Sequence, residues 1–220
     1  MKLYDYWRSS AAFRMRIALN LKGFEAEREY IHLRRKDHRS EGYLDVNPQG
    51  LVPALIDDDG TRIIQSMAIM EYLDETRPET HALLPSDARG RARVRAISQA
   101  IACDIHPLNN LRVLRLLGSG LGLDEEARNE QWYKHWIDEG MTGVEGLLAD
   151  GGAGAFSHGD APTMADVCLV PQIYNARRFG YDFSDAPHTT RIEAACLALD
   201  EVQRAHPDNQ NDTPEGEKTQ

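Results

Sequence analysis

Strand-forming signals stop before Pro85, and this asymmetry limits the fold more than any other feature of the chain. Residues 2–7 alternate weakly and end in aromatics, as a short strand would. From Ser10 the period changes: Phe13, Ile17 and Leu21 recur at helical spacing beside Ala18, and Gly23 follows as a stop. A second strand fits residues 27–33. Asn47-Pro48-Gln49-Gly50-Leu51-Val52-Pro53 brackets a glycine turn between prolines and puts Val52-Pro53 at the mouth of a third strand. Asp57-Asp58-Asp59-Gly60 then turns a hairpin into Arg62-Ile63-Ile64. Gln65-Ser66 opens a helix that Pro78 stops. The order is β-α-β, then β-β-α.

Beyond Leu83-Leu84-Pro85-Ser86-Asp87 only helical patterns remain, over residues 88–105, 107–117, 124–148, 164–179 and 190–205. Thr163-Met164-Ala165-Asp166 matches a capping box, with a hydroxyl at the helix start and an acid three residues on. The patterns predict an α+β chain of two domains, a small α/β domain over 1–82 and an all-helical domain over 89–205, joined by a linker at 83–88. Residues 206–220 lack apolar periodicity and are expected to be a disordered tail.

Of the 220 residues, 41% are hydrophobic and 27% charged, the balance of an ordinary globular protein. No apolar run approaches the ~18 residues of a membrane span. Met1-Lys2-Leu3-Tyr4-Asp5-Tyr6 has neither the apolar core nor the cleavage site of a signal peptide. The cysteines, Cys103, Cys168 and Cys196, are odd in number and far apart, which suits reduced thiols in a cytoplasmic protein. A net charge of −10 makes nucleic acid a poor partner. An anionic substrate would therefore need a local positive pocket built from identifiable arginines.

The element order, with Val52-Pro53 before a central strand, resembles the thioredoxin-like fold of cytosolic glutathione transferases over residues 1–205. Arg8-Ser9-Ser10-Ala11-Ala12-Phe13-Arg14-Met15-Arg16-Ile17-Ala18-Leu19 looks like the signature of the zeta class, which includes maleylacetoacetate and maleylpyruvate isomerases. Asn47–Pro53, Gln65-Ser66, Cys103-Asp104-Ile105-His106-Pro107-Leu108-Asn109-Asn110 and Asp166-Val167-Cys168-Leu169-Val170-Pro171-Gln172 look like the same group. The resemblance implies a thioredoxin-like domain followed by an all-α bundle, glutathione as cofactor, a small dicarboxylic substrate and a homodimer. It implies cis–trans isomerisation of maleylacetoacetate, as in aromatic amino acid catabolism, with maleylpyruvate isomerase or a general conjugating transferase as alternatives.

The family's site falls on named residues here. Ser9 stands where a helix N-terminus and a hydroxyl would together hold the glutathione thiolate. Ser10 would secure the helix start, and the resemblance places Ser10 and Ala11 with Ser9 in the glutathione site, Ser10 also among the catalytic residues. Many zeta members have cysteine in that third place, so a cysteine cannot be required here. Val52 would pair with the cysteinyl backbone in a turn whose proline is cis in the family. Gln65 and Ser66 would take the γ-glutamyl end, and His38 and Gln49 lie on the segment approaching the glycyl carboxylate. By resemblance Asp104, His106 and Asn110 face the thiol. Arg178 would hold a substrate carboxylate, with Arg8 and Arg112 as second choices.

Each residue also has a plainer reading. Ser9, Ser10 and Ser66 could be caps alone, and Arg177-Arg178 could answer only a helix dipole. His38 sits in a charged run that suits a solvated loop. Tyr4 and Tyr6, rivals for the thiolate in other classes, read as core or wall residues. Cys103-Asp104-x-His106 points its side chains different ways on a helix, so no metal is expected.

Overall fold

The structure is a computed structural model that describes residues 1–218. The chain divides into two compact units, one formed by 1–84 with 197–220 and the other by 85–196.

In the first unit β1 (Lys2–Asp5), β2 (Glu27–Tyr30), β3 (Ala54–Ile56) and β4 (Arg62–Ile64) form one sheet in the order β2-β1-β3-β4. β1 and β2 run parallel, so a helix must cross between them, and α1 (Ser10–Lys22) does so. β3 pairs antiparallel with both β1 and β4, and α3 (Ser66–Thr76) follows. This is the thioredoxin-like arrangement read from the sequence. Gly23 ends α1 at φ +75°, its N–H donating to Asn20, while Phe24 N–H reaches Leu19. Leu3, Phe13, Ile17, Leu55, Ile69 and Leu73 are all buried in this unit. Tyr4 and Tyr6 are buried too, Tyr4 against Tyr43 and Tyr6 against His32, which makes them wall residues.

α1 buries more of its circumference than a surface helix does, because α3 and α9 (Asp200–Ala205) both pack on it. Arg16, fully buried, shows how such a helix keeps a cation. Its guanidinium donates to Asp5 Oδ1 at 2.8 Å, Trp7 O at 2.9 Å and Ala205 O at 2.8 Å. Arg28 takes the second oxygen of Asp5 at 2.7 Å.

A short helix missing from the sequence reading, α2 (Glu41–Val46), is capped by Ser40, which accepts from Tyr43 N–H at 3.3 Å. Only Tyr43 of that helix is buried, so it has no apolar period to read.

The second unit is helical throughout its main elements: α4 (Ala88–Gln99), α5 (Leu111–Arg115), α6 (Lys134–Leu148), α7 (Met164–Arg178) and α8 (Pro187–Leu197). α4 runs on into a wider-wound turn, Ala100–Ile105, where His106 N–H bonds Ile101 O five residues back. α6 packs tightly on this turn. A Cβ on Gly140 would lie 2.3 Å from Ile105 Cγ1. The capping box holds: Asp166 accepts from Thr163 N–H at 2.7 Å and, from outside the helix, Ser157 N–H at 2.7 Å. Burial pushes the Asp166 carboxyl up, against those bonds.

Two expectations change at the C-terminal end. The helix predicted over 190–205 is two helices, α8 and α9, separated at 198–199, and the second belongs to the first unit. Asn20 Nδ2 donates to Glu201 O at 2.7 Å and Arg16 to Ala205 O, so α9 is held by α1. Residues 206–218 of the expected disordered tail are ordered, while 219–220 lie outside the described residues. Asp212 accepts from Trp7 N–H at 3.0 Å, Thr213 donates to Pro207 O at 2.5 Å, and Glu217 takes Arg34 through both oxygens. Polar bonds order this segment, and an apolar pattern could not announce them.

Candidate active site

On the first unit, the expected residues gather at the carboxyl end of β1, the amino end of β3, which runs antiparallel to it, and the helix starts beside them. Ser9 is the N-cap of α1, and its Oγ accepts from Ala12 N–H at 3.2 Å. That bond uses an oxygen lone pair and leaves the hydroxyl proton to donate outward. Ser10 is the first helical residue and buried, and Ala11 follows, half-buried. The sequence reading gave the cap to Ser10; the structure gives it to Ser9, because the chain leaves extended geometry one residue earlier.

Val52-Pro53 is cis, and Val52 is buried at the mouth of β3. Its loop is pinned from behind. Tyr43 Oη and Asn47 Nδ2 both donate to Leu51 O at 2.6 Å, and Asn47 Oδ1 accepts from Gln49 N–H at 3.0 Å. Gly50 sits at φ +60°, and a Cβ there would lie 2.8 Å from His38 O. That contact seats the His38 segment on the Gln49-Gly50 turn. His38 is buried, so the solvated-loop reading of it fails; Gln49 is exposed.

Gln65 precedes α3 at φ +72°, a backbone region costly for a non-glycine residue and found where function holds it. Its Nε2 donates to Gln49 Oε1 at 2.7 Å, which brings together two residues expected at the cofactor site. Ser66 opens α3 and is buried; no side chain caps this helix. Its N-terminal amides therefore remain available to an anion. Beneath Ser66 lies Arg14, which the sequence reading passed over. Arg14 is 2% exposed, and Nη1 makes one long contact of 3.4 Å to Ser66 Oγ. Its Nε and Nη2 have no acceptor among the described residues. The sequence signal was available: a second arginine on a helix otherwise lined with apolar residues. A seat with such an orphaned cation fits a carboxylate-bearing peptide like glutathione. Arg8 is half-buried and faces Glu217 at 3.6 Å, so a carboxylate already approaches it.

On the second unit, Asp104 and Cys103 are exposed on the wide turn after α4, and His106 is half-buried. Asn110 caps α5, its Oδ1 accepting from Arg112 N–H at 3.1 Å, and Arg112 is exposed. The adjacent arginines at the end of α7 separate cleanly. Arg177 is paired with Glu193 at 2.6 Å and lies over Phe183. Arg178 is half-buried with its guanidinium 5.9 Å from the Tyr174 ring, and it has no acidic partner among the described residues. Near it Tyr133 stacks on Phe179 and donates to Asn175; burial pushes the phenol up. Among the described residues no group of His, Cys, Asp and Glu is arranged to hold a metal.

Comparison with known proteins gives this geometry a family. Residues 1–75 match the glutathione S-transferase N-terminal domain. A maleylacetoacetate isomerase of Rhizobium meliloti (strain 1021) is 52% identical, over 94% of this chain and 95% of its own. A solved holo structure of maleylpyruvate isomerase, a bacterial zeta-class glutathione transferase, has a TM-score of 0.93 at 47% identity, covering 97% and 100% of the two chains. A maleylacetoacetate isomerase from Methylobacterium extorquens AM1, solved with bound malonate and GSH, also has a TM-score of 0.93, at 43% identity and with the same coverage. Identity at this level over nearly the whole of both chains shows that the chain belongs to the maleylacetoacetate/maleylpyruvate isomerase family of zeta-class glutathione transferases.

Proposed function

We propose that this chain converts maleylacetoacetate to fumarylacetoacetate with glutathione as cofactor, in the degradation of tyrosine and related aromatics. The observation that carries the reading is the contrast at the end of α7, where Arg177 is neutralised by Glu193 and Arg178 is left for an external carboxylate. The malonate and GSH bound by the Methylobacterium relative support a site for a dicarboxylate beside the peptide.

Glutathione, when bound, supplies a thiolate whose reversible addition to the cis double bond permits rotation. The residues of this chain do the rest. Ser9 donates its hydroxyl proton to the sulfur while its oxygen caps α1, and the helix terminus favours negative charge there. Val52 pairs with the cysteinyl backbone, and Ser10 and Ala11 shape the turn. Gln65, Ser66 and the α3 amides take the γ-glutamyl end; His38 and Gln49 flank the glycyl end. Asp104, His106 and Asn110 would be the second unit's contribution to cofactor binding. Arg178, helped by Arg8 or Arg112, holds substrate carboxylates and stabilises charge developing on the adjacent oxygen.

Arg8 would have to exchange its 3.6 Å contact with Glu217 for the substrate, which leaves Arg178 as the principal clamp. The enzyme works in the cytoplasm as a homodimer; all three cysteines are free thiols, in keeping with a reducing compartment. Maleylpyruvate, which shares the unsaturated dicarboxylate, is the second reading, favoured by the maleylpyruvate isomerase similarity. Isomerisation of both substrates is followed in dialysed enzyme with and without added glutathione. Activity should require the tripeptide, because no side chain of the seat is itself a strong nucleophile. Full turnover without any thiol would refute the proposed function.

A further inference from the structure

Two arginines two residues apart on α1 are both buried, and they are treated oppositely. Arg16 is saturated by a carboxylate and two carbonyls. Arg14 has only the 3.4 Å contact to Ser66 Oγ, and its Nε and Nη2 face no acceptor among the described residues. A buried cation without a counter-ion is destabilising, and packed interiors rarely keep one without a use. Its single contact points at the uncapped start of α3, where backbone amides and the helix dipole already favour an anion.

We infer that Arg14 is a positioning residue that charges the γ-glutamyl carboxylate seat of the glutathione site from beneath. The inference rests on the glutathione seat proposed above. Arg14 donates to the Ser66 oxygen, which orients the Ser66 hydroxyl proton outward to the carboxylate and strengthens it as a donor. The guanidinium adds a full positive charge where Ser66 and the amides alone would offer only dipoles. Removing it should therefore cost affinity for one end of the peptide and leave the other contacts intact.

The test is a cycle by titration calorimetry on the full-length enzyme, with glutathione and with 4-aminobutyryl-cysteinyl-glycine, which lacks only that carboxylate. Wild type should prefer glutathione by more than about tenfold, the scale of a charge-assisted bond. Arg14→Met and Arg14→Gln should bring the two peptides within about threefold of each other, and Arg14→Lys should restore most of the preference. Circular dichroism identifies which variants fold, and either neutral variant suffices. A folded neutral variant that keeps the wild-type preference, or that weakens both peptides equally, overturns the role of Arg14 alone. So does a folded Arg14→Lys with no preference. A wild type that binds both peptides equally overturns the γ-glutamyl seat itself and the inference with it.

Discussion

Ser9 carries two jobs that the sequence reading had divided. As N-cap it accepts from Ala12 N–H, and as the proposed thiolate donor it gives its proton away. Ser9→Ala should slow turnover by more than about tenfold and raise the pKa of bound glutathione, since a charged hydrogen bond is lost. It should also cost about 0.5–2 kcal/mol of stability as a lost cap. Ser10→Ala should change neither by as much, and ultraviolet titration of the bound thiolate with thermal unfolding separates the effects. A thiolate controlled by Ser10 would move the donor one residue on. The paired arginines offer a sharper contrast. Arg178→Ala should raise the Michaelis constant for substrate, by a loss on the order of 2–5 kcal/mol in binding, with glutathione affinity unchanged. Arg177→Ala breaks an exposed pair with Glu193 and should cost only about 0.2–1 kcal/mol of stability. Unchanged kinetics in Arg178→Ala would make that residue a helix-dipole partner and shift the clamp to Arg8 or Arg112. In the sequence only the family resemblance set Arg178 apart from Arg177, since local chemistry treats both as cations at a helix end. In the structure Glu193, sixteen residues away on α8, tells them apart.

Among the elements, the β3–β4 hairpin and α3 are locked by one acid. Asp57, at the turn after β3, accepts from Tyr72 Oη at 2.6 Å, Arg77 Nη2 at 2.5 Å and Asp58 N–H at 2.8 Å. Burial alone would raise its carboxyl, but these bonds outweigh it and hold the group down to about 2. A folded-state value below the unfolded one, about 3.9, means stabilisation that is complete above roughly pH 5 and lost as pH falls towards 2. Asp57→Asn should therefore be less stable than wild type by on the order of 2 kcal/mol at pH 6, and the difference should vanish near pH 2. Urea unfolding of both proteins across that range measures it; a gap independent of pH would assign the loss to packing. The hairpin itself was legible from Asp57-Asp58-Asp59-Gly60, because turn chemistry is local. The grip of Tyr72 and Arg77 on it was not.

For the molecule as a whole, the homodimer is tested by multi-angle light scattering at micromolar concentration, where the mass of two chains is expected and that of one would refute it. The two-unit plan was visible in advance because hydrophobic period, caps and turn residues act over a few positions, and each lies intact in the string of residues. β1, α1, the Val52-Pro53 turn, the start of α3 and the capped α7 all follow from such local rules. The serine and glutamine of the proposed cofactor seat were named through the family resemblance, not by these local rules. Long-range contacts decided the remainder. α9 and residues 206–218 joined the first unit because Asn20, Arg16 and Trp7 bond to them across nearly the whole length of the chain. Arg14 became a cation beneath Ser66 because α1 and α3 pack together. Burial and ion pairing depend on neighbours distant in sequence, so a charged side chain reads the same in the string whether it ends in solvent, in a salt bridge or under a ligand.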